Sequence, residues 1–183
     1  MKKNIKKYTK KNIKKNGIPK LTKTIDKNIV NTINYNIFTT SQLLVWLNKN
    51  IKYKISFENL LKVHRTKNFI LKDLVKENKN TPNYQLGYNN NEIITISRIF
   101  NNGYIDLVHT NIKFRGLKLC QISIEKFITN KKIKNIKKFS LYVYKKNIPA
   151  IKCYQNLGFN IIDNITDDTK ILKNSYLMEL YKN

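Results

Sequence analysis

The sequence predicts an α/β (α+β) domain built on a central mixed, mostly antiparallel sheet of about six to seven strands flanked by helices. Three observations predict it. Asn89-Asn90-Asn91 and Asn101-Asn102-Gly103 are turn signals between runs rich in β-branched residues, which makes an antiparallel meander. Helical spacing then returns twice, over 116–130 and from about Ile148 to Asn156, each time between strands, so helices must cover both faces of the sheet. Finally, 41% of the residues are hydrophobic, with 11 Tyr and 8 Phe, enough to build a real core.

The elements follow in chain order. Lys pairs at 2–3, 6–7, 10–11 and 14–15 leave residues 1–20 too charged for a core, and Gly17 and Pro19 punctuate their end. This is a basic tail, read either as flexible or as an anion-binding arm for targeting or for nonspecific contact with nucleic acid. Residues 21–183 are the folded domain. Ile29, Ile33, Ile37 and Phe38 suggest one strand. Thr40 and Ser41 offer N-caps to a short helix carrying Leu43, Leu44, Trp46 and Leu47. Ser56 opens a longer helix, with Phe57, Leu60, Leu61, His64, Ile70, Leu71, Leu74 and Val75 at helical spacing, ended by Asn80-Thr81-Pro82. Strands Tyr84–Tyr88, Glu92–Phe100 and Tyr104–Thr110 form the meander. A helix over 116–130 turns Leu117, Cys120, Ile124, Phe127 and Ile128 to one face. Phe139, Leu141 and Val143 alternate with Ser140 and Tyr142 in a further strand. Gly158 stops the second helix as a C-cap glycine does, and Phe159–Ile165 and Tyr176–Tyr181 close the sheet.

Composition limits function less than it first suggests. The chain holds 33 Lys, 28 Asn and 27 Ile among 183 residues, all with A/T-rich codons, so the formal charge of +25 has two open readings. One is nucleic-acid or other anion binding, and the other is codon bias settling on solvated surface. With only three Arg and no glycine-aromatic signature, specific RNA readout has little support. Cys120 and Cys153 form no metal-ligand spacing with His64 and His109, so no metal is expected, and the two cysteines read as reduced thiols. No apolar run reaches membrane-span length and no secretory leader is evident. The expectation is a cytoplasmic protein, in the host interior if the genome is viral, with no membrane partner.

Two segments carry candidate chemistry. Gly116 follows Phe114-Arg115 between a strand end and a helix start. A sharp turn into a helix exposes backbone N–H groups at the positive end of the helix dipole, a site for a pyrophosphate, and Arg115 and Lys118 add charge beside it. The plainer reading is a simple strand-to-helix turn. In the second segment, Asn147 to Phe159, Asn147 is a natural N-cap and Pro149 is tolerated in the first turn. Tyr154 shares a helical face with Ala150. Read locally, this is a capped helix with a core tyrosine.

Together and in this order, the two segments resemble the GNAT superfamily of acetyl-CoA-dependent N-acetyltransferases. The family carries Gln/Arg-x-x-Gly-x-Gly/Ala at a strand-to-helix turn, matched by Arg115 through Cys120. Downstream it has a strand ending in Val, then Asn-x-x-Ala-x-x-x-Tyr and Gly-Phe, matched by Val143, Asn147, Ala150, Tyr154, Gly158 and Phe159. Tyr176-Leu177-Met178-Glu179-Leu180 looks like the family's last strand, so the resemblance spans roughly 84–181. Lys118 and Cys120 depart from the first motif, standing where the family prefers Gly and Gly or Ala.

The resemblance implies a GNAT-like fold whose fourth and fifth strands splay apart around acetyl-CoA, with direct acetyl transfer to an amine of a peptide, a protein or a small molecule. Backbone groups at Val108 and Thr110 would pair with the pantetheine and the acetyl carbonyl. Arg115, Gly116, Leu117, Lys118, Leu119, Cys120 and Gln121 would hold the pyrophosphate, and Asn147 would cap its helix beside the pantetheine. Tyr154 would protonate the leaving thiolate or only pack against it. Asp106 would accept the amine's proton through water or only orient a neighbour. On a regular strand Asp106, Val108 and Thr110 share one face, and His109 faces away. Two other readings stay open, a catalytically degenerate member of the fold and a basic nucleic-acid-binding module.

Overall fold

The computed structural model describes residues 28–64, 82–162 and 174–182. The basic tail, the expected continuation of the second long helix and the end of the expected strand at 163–165 lie outside them. A short helix α1 (Ile29–Thr32) precedes strand β1 (Asn34–Thr39). Helices α2 (Thr40–Lys49) and α3 (Ile51–His64) follow, then strands β2 (Asn83–Asn89), β3 (Glu92–Ile99) and β4 (Ile105–Thr110). After a 3-10 turn come helix α4 (Leu119–Ile128), β5 (Lys138–Tyr144), α5 (Ile148–Gln155), β6 (Asn160–Ile162) and β7 (Ser175–Tyr181).

Three boundaries differ from the sequence expectation. The single strand expected around Ile29 to Phe38 begins as one helical turn and becomes β1 only at Asn34. The cap of α2 is Thr39, whose hydroxyl accepts from the Gln42 N–H while the Gln42 side chain accepts from the Thr39 N–H, a reciprocal capping box. Helix α3 starts five residues before Ser56, with the Lys54 N–H donating to the Asn50 carbonyl. Ser56 therefore lies inside the helix, where its Oγ accepts from the Ile93 N–H and ties α3 to β3.

Strands β1-β2-β3-β4 form one antiparallel sheet and β5-β7-β6 a second. The β2–β3 turn places Asn90 and Asn91 at φ 45° and 62°, the left-handed pair that Asn tolerates in tight hairpins. Among the described residues the two sheets meet at a single parallel bridge, Tyr104 to Ser140, beside a hydrogen bond from the Ser140 N–H to the Gly103 carbonyl. The fourth and fifth strands are therefore splayed, as expected. Gly103 makes the pivot possible: it sits at φ 84°, and a Cβ there would overlap the Lys138 carbonyl.

Both faces are covered. On one, Leu43 and Leu47 of α2 and Phe57, Leu60 and Leu61 of α3 bury against Tyr84, Leu86, Ile93 and Ile96. On the other, Ile124 and Phe127 of α4 and Ile151 and Tyr154 of α5 bury with Ile99, Ile105, Phe139, Leu141, Val143, Phe159 and Met178. No helix among the described residues is long and apolar enough to cross a membrane.

Candidate active site in the cleft between the fourth and fifth strands

The cleft opens beyond Gly103, and its fourth-strand wall is irregular. Arg98 pairs with Asp106 and Ile96 with His109, so Leu107 and Val108 together stand opposite Ser97, with Leu107 at φ 52°. This bulge inverts the alternation of side chains. Asp106, Leu107 and His109 lie on the α2–α3 face: Asp106 bonds Arg98, Leu107 packs with the core on that side, and His109 pairs with Ile96. Val108 packs in the α4–α5 core, and Thr110 pairs with Thr95. The expectation of one shared face for Asp106, Val108 and Thr110 is thereby corrected, as is the placing of His109 on the opposite side from Asp106.

The base role considered for Asp106 also meets a structural objection. Arg98 Nε donates to Oδ1 and Nη2 to Oδ2, both at 2.7 Å, so a bidentate pair engages both carboxylate oxygens. Burial alone would lower the Arg98 pKa, but the pairing with Asp106 and the Tyr84 hydroxyl raise it overall, and the guanidinium stays charged. Its carbon also lies 4.8 Å from the centre of the Phe100 ring. Of the two roles weighed for Asp106, the geometry favours the orienting one. Beside the pair, burial raises the Tyr104 pKa, with help from Asp106 and Tyr142.

At the far end of the cleft, the chain turns through Arg115 and Gly116 into α4. Arg115 Nε donates to the Thr110 carbonyl at 3.3 Å, which folds the guanidinium stem back on the strand end. Lys118 is the N-cap of α4 and sits in the left-handed region, φ 57° and ψ 18°, with no side-chain capping bond. The first helical hydrogen bond here runs from the Ile122 N–H to the Lys118 carbonyl, so the amides of Leu119, Cys120 and Gln121 precede the helical ladder and suit an anion. A left-handed residue costs a non-glycine side chain roughly 1–2 kcal/mol, and Lys118 bears that cost at the start of α4.

The second motif closes the site from α5. Asn147 is the N-cap, its Oδ1 accepting from the Ala150 N–H at 3.4 Å. Tyr154 is 6% exposed, its ring centre 6.0 Å from that of Phe159, and burial raises its pKa. It is therefore protonated at neutral pH. The cysteines correct another expectation. Rather than reduced thiols, Cys120 and Cys153 form a disulfide that joins the first turn of α4 to α5 one residue before Tyr154. Sequence spacing gave no sign of it, because 33 residues separate the pair and only the packing of α4 against α5 brings them together.

Solved structures place this architecture. The chain matches the NatC complex bound to Gag peptide and CoA at a TM-score of 0.59 and 13% identity, over 82% of this chain and 99% of that one. It matches a GNAT-family acetyltransferase from Staphylococcus aureus at 0.55 and 18%, over 81% and 99%. It also matches the PaiA N-acetyltransferase of Thermoplasma acidophilum, solved with coenzyme A, at 0.51 and 14%, over 81% and 99%. The chain has the GNAT fold. No family model and no curated protein matches the sequence. Within a GNAT fold, the two motifs occupy the two helix starts that flank the cleft between the fourth and fifth strands.

Proposed function

We propose that the protein is an N-acetyltransferase that moves the acetyl group of acetyl-CoA to a primary amine. One observation carries the reading: the cleft between β4 and β5 leads to a helix start with no side-chain cap, flanked by Arg115 and Lys118. The residues present fit the group. Amides of Leu117 to Gln121 and the two cations suit a pyrophosphate, Gly116 leaves open space around its Cα, and the diverging edges of β4 and β5 suit a pantetheine arm with its amides. When bound, acetyl-CoA supplies an activated thioester to an incoming amine.

The remaining tasks fall to the chain. Backbone groups at Val108 and Thr110 would align the pantetheine and acetyl carbonyl, and Asn147 caps α5. Tyr154 is the residue that would donate a hydrogen bond to the sulfur of the leaving group. Because burial raises its pKa, the hydroxyl keeps its proton and would be available to the leaving thiolate. The Arg98–Asp106 pair stiffens the acceptor face of β4, and the amine's proton leaves to solvent through the open mouth of the cleft.

The test is Tyr154→Phe, which keeps the ring and its packing and removes only the hydroxyl. Turnover should fall by about 10²-fold with acetyl-CoA affinity and melting temperature nearly unchanged. Normal turnover in steady-state assays with acetyl-CoA varied would remove Tyr154 from the chemistry. Weaker acetyl-CoA binding with turnover kept at saturation would make its hydroxyl an anchor instead.

A further inference from the structure

The disulfide joins two helices that belong to different halves of the molecule. Helix α4 packs on β1, β2, β3 and β4 of the first sheet, whereas α5 runs between β5 and β6 of the second. The sheets are bridged at Tyr104 and Ser140, where the cleft closes. At the carboxyl end of α4, Lys182 Nζ donates to the Ile128 carbonyl at 3.2 Å and ties the helix to the residue after β7. At the amino end of α4, where the cleft is open, the tie is Cys120–Cys153. Ile124, Phe127, Ile151 and Tyr154 also share an apolar cluster beneath the two helices. Apolar contact is non-directional, however, and lets packed helices shift. A covalent bond from the second residue of α4 to the residue before Tyr154 fixes their spacing.

The bond is open to reduction. Both cysteines are half-buried rather than enclosed. Cys120 lies in the first turn of α4, among amides that precede the helical ladder, and Lys118 is exposed beside it. A positive helix start stabilises a thiolate, and a stabilised thiolate is a good leaving group. A dithiol therefore attacks Cys153 Sγ, and Cys120 departs as the thiolate. The second thiol of the reductant then closes its own disulfide and releases Cys153. One S–S bond breaks in the protein and one forms in the reductant. Two electrons pass to the cysteine sulfurs, and the two protons of the dithiol pass to them or to solvent.

We propose that Cys120–Cys153 is a redox switch on coenzyme affinity: oxidised, it holds the α4 amides and the Tyr154 helix at a fixed spacing across the cleft, and reduction by a dithiol frees the two walls and weakens binding. The coenzyme part of this inference rests on the acetyltransferase reading, and the strap itself rests on the disulfide. Coupling between two equilibria is reciprocal, so bound coenzyme protects the bond from reduction by the same factor.

The experiment titrates the full chain with desulfo-CoA, which has no thiol to exchange with the bond, before and after treatment with dithiothreitol. Reduction should weaken binding about fivefold or more, the low end of allosteric coupling, and reoxidation should restore it. Cys153→Ser should bind as the reduced parent does in both buffers. Saturating desulfo-CoA should raise the ratio of reduced to oxidised dithiothreitol needed for half reduction by the same factor. Hydrogen exchange should rise on reduction within α4 and α5 and stay unchanged in β2 and β3, with melts confirming that the reduced chain is folded. Equal affinity in the two redox states, or an unchanged reduction midpoint, overturns the switch and leaves the acetyltransferase reading standing. Unfolding on reduction also overturns it, by making the bond a structural staple. Should Cys153→Ser fail to fold, the parent in its two redox states decides alone. Desulfo-CoA binding in neither state overturns the acetyltransferase reading, and the strap then stands or falls on the exchange of α4 and α5.

Discussion

Lys118→Gly separates the two effects that meet at the proposed phosphate loop. The residue occupies φ 57° at the start of α4 with no capping bond from its side chain. Holding an L-residue there costs roughly 1–2 kcal/mol. Glycine removes that strain but adds about 0.5–1 kcal/mol of unfolded-chain entropy to be lost on folding. The net expectation is a gain of about 0.5–1 kcal/mol. For a chain of 183 residues this is a rise in midpoint temperature of about 1–4 °C. The charge acts in the other direction. An exposed lysine beside a pyrophosphate contributes on the scale of a surface ion pair, so Lys118→Gln, which keeps the Cβ, should weaken CoA about two- to fivefold, and less at high salt. Lys118→Gly loses that charge and gains closer backbone approach, so it should bind CoA at least as well as the Gln variant. Scanning calorimetry and CoA titration at two salt concentrations read all four quantities. A Gly variant that melts below the parent would refute the left-handed assignment, and a Gln variant with parental CoA affinity would refute the lysine's contact with phosphate.

Two further changes probe the framework. Gly103→Ala should destabilise the protein by about 2 kcal/mol or more in urea melts, because its Cβ would press on the Lys138 carbonyl at a positive φ; a parental midpoint would mean that β4 and β5 do not pivot there. Denatured, unreduced protein should show no titratable thiol, and reduction should cost about 3–4 kcal/mol, the loop-entropy scale for cysteines 33 residues apart; two free thiols in the unreduced protein would refute the disulfide.

Much of this molecule was written locally. The Asn-rich turns specified the meander because few residues accept paired left-handed dihedrals, and Asn90 and Asn91 adopt them. Asn147 caps α5 as its sequence context indicated, because a cap is a contact three residues long. The order of strands and helices implied a covered sheet, the resemblance implied a break after the fourth strand, and among the described residues the two sheets are bridged at Tyr104 and Ser140. What the sequence left undecided depends on residues far apart in the chain. A bulge is one extra residue against a partner strand, so nothing in Ile105–Thr110 alone shows that Asp106 and His109 share a face. Asp106 is committed to Arg98 eight positions earlier, and Cys120 meets Cys153 only because two helices pack side by side. The buried oxygens of Tyr35, Gln85, Thr95, Ser97 and Ser123 come from β1, β2, β3 and α4, where each reads separately as an ordinary strand or helix residue. Short-range chemistry repeats in every copy of a motif and can be read from it, whereas pairing across the sheet is set by the register of the whole fold.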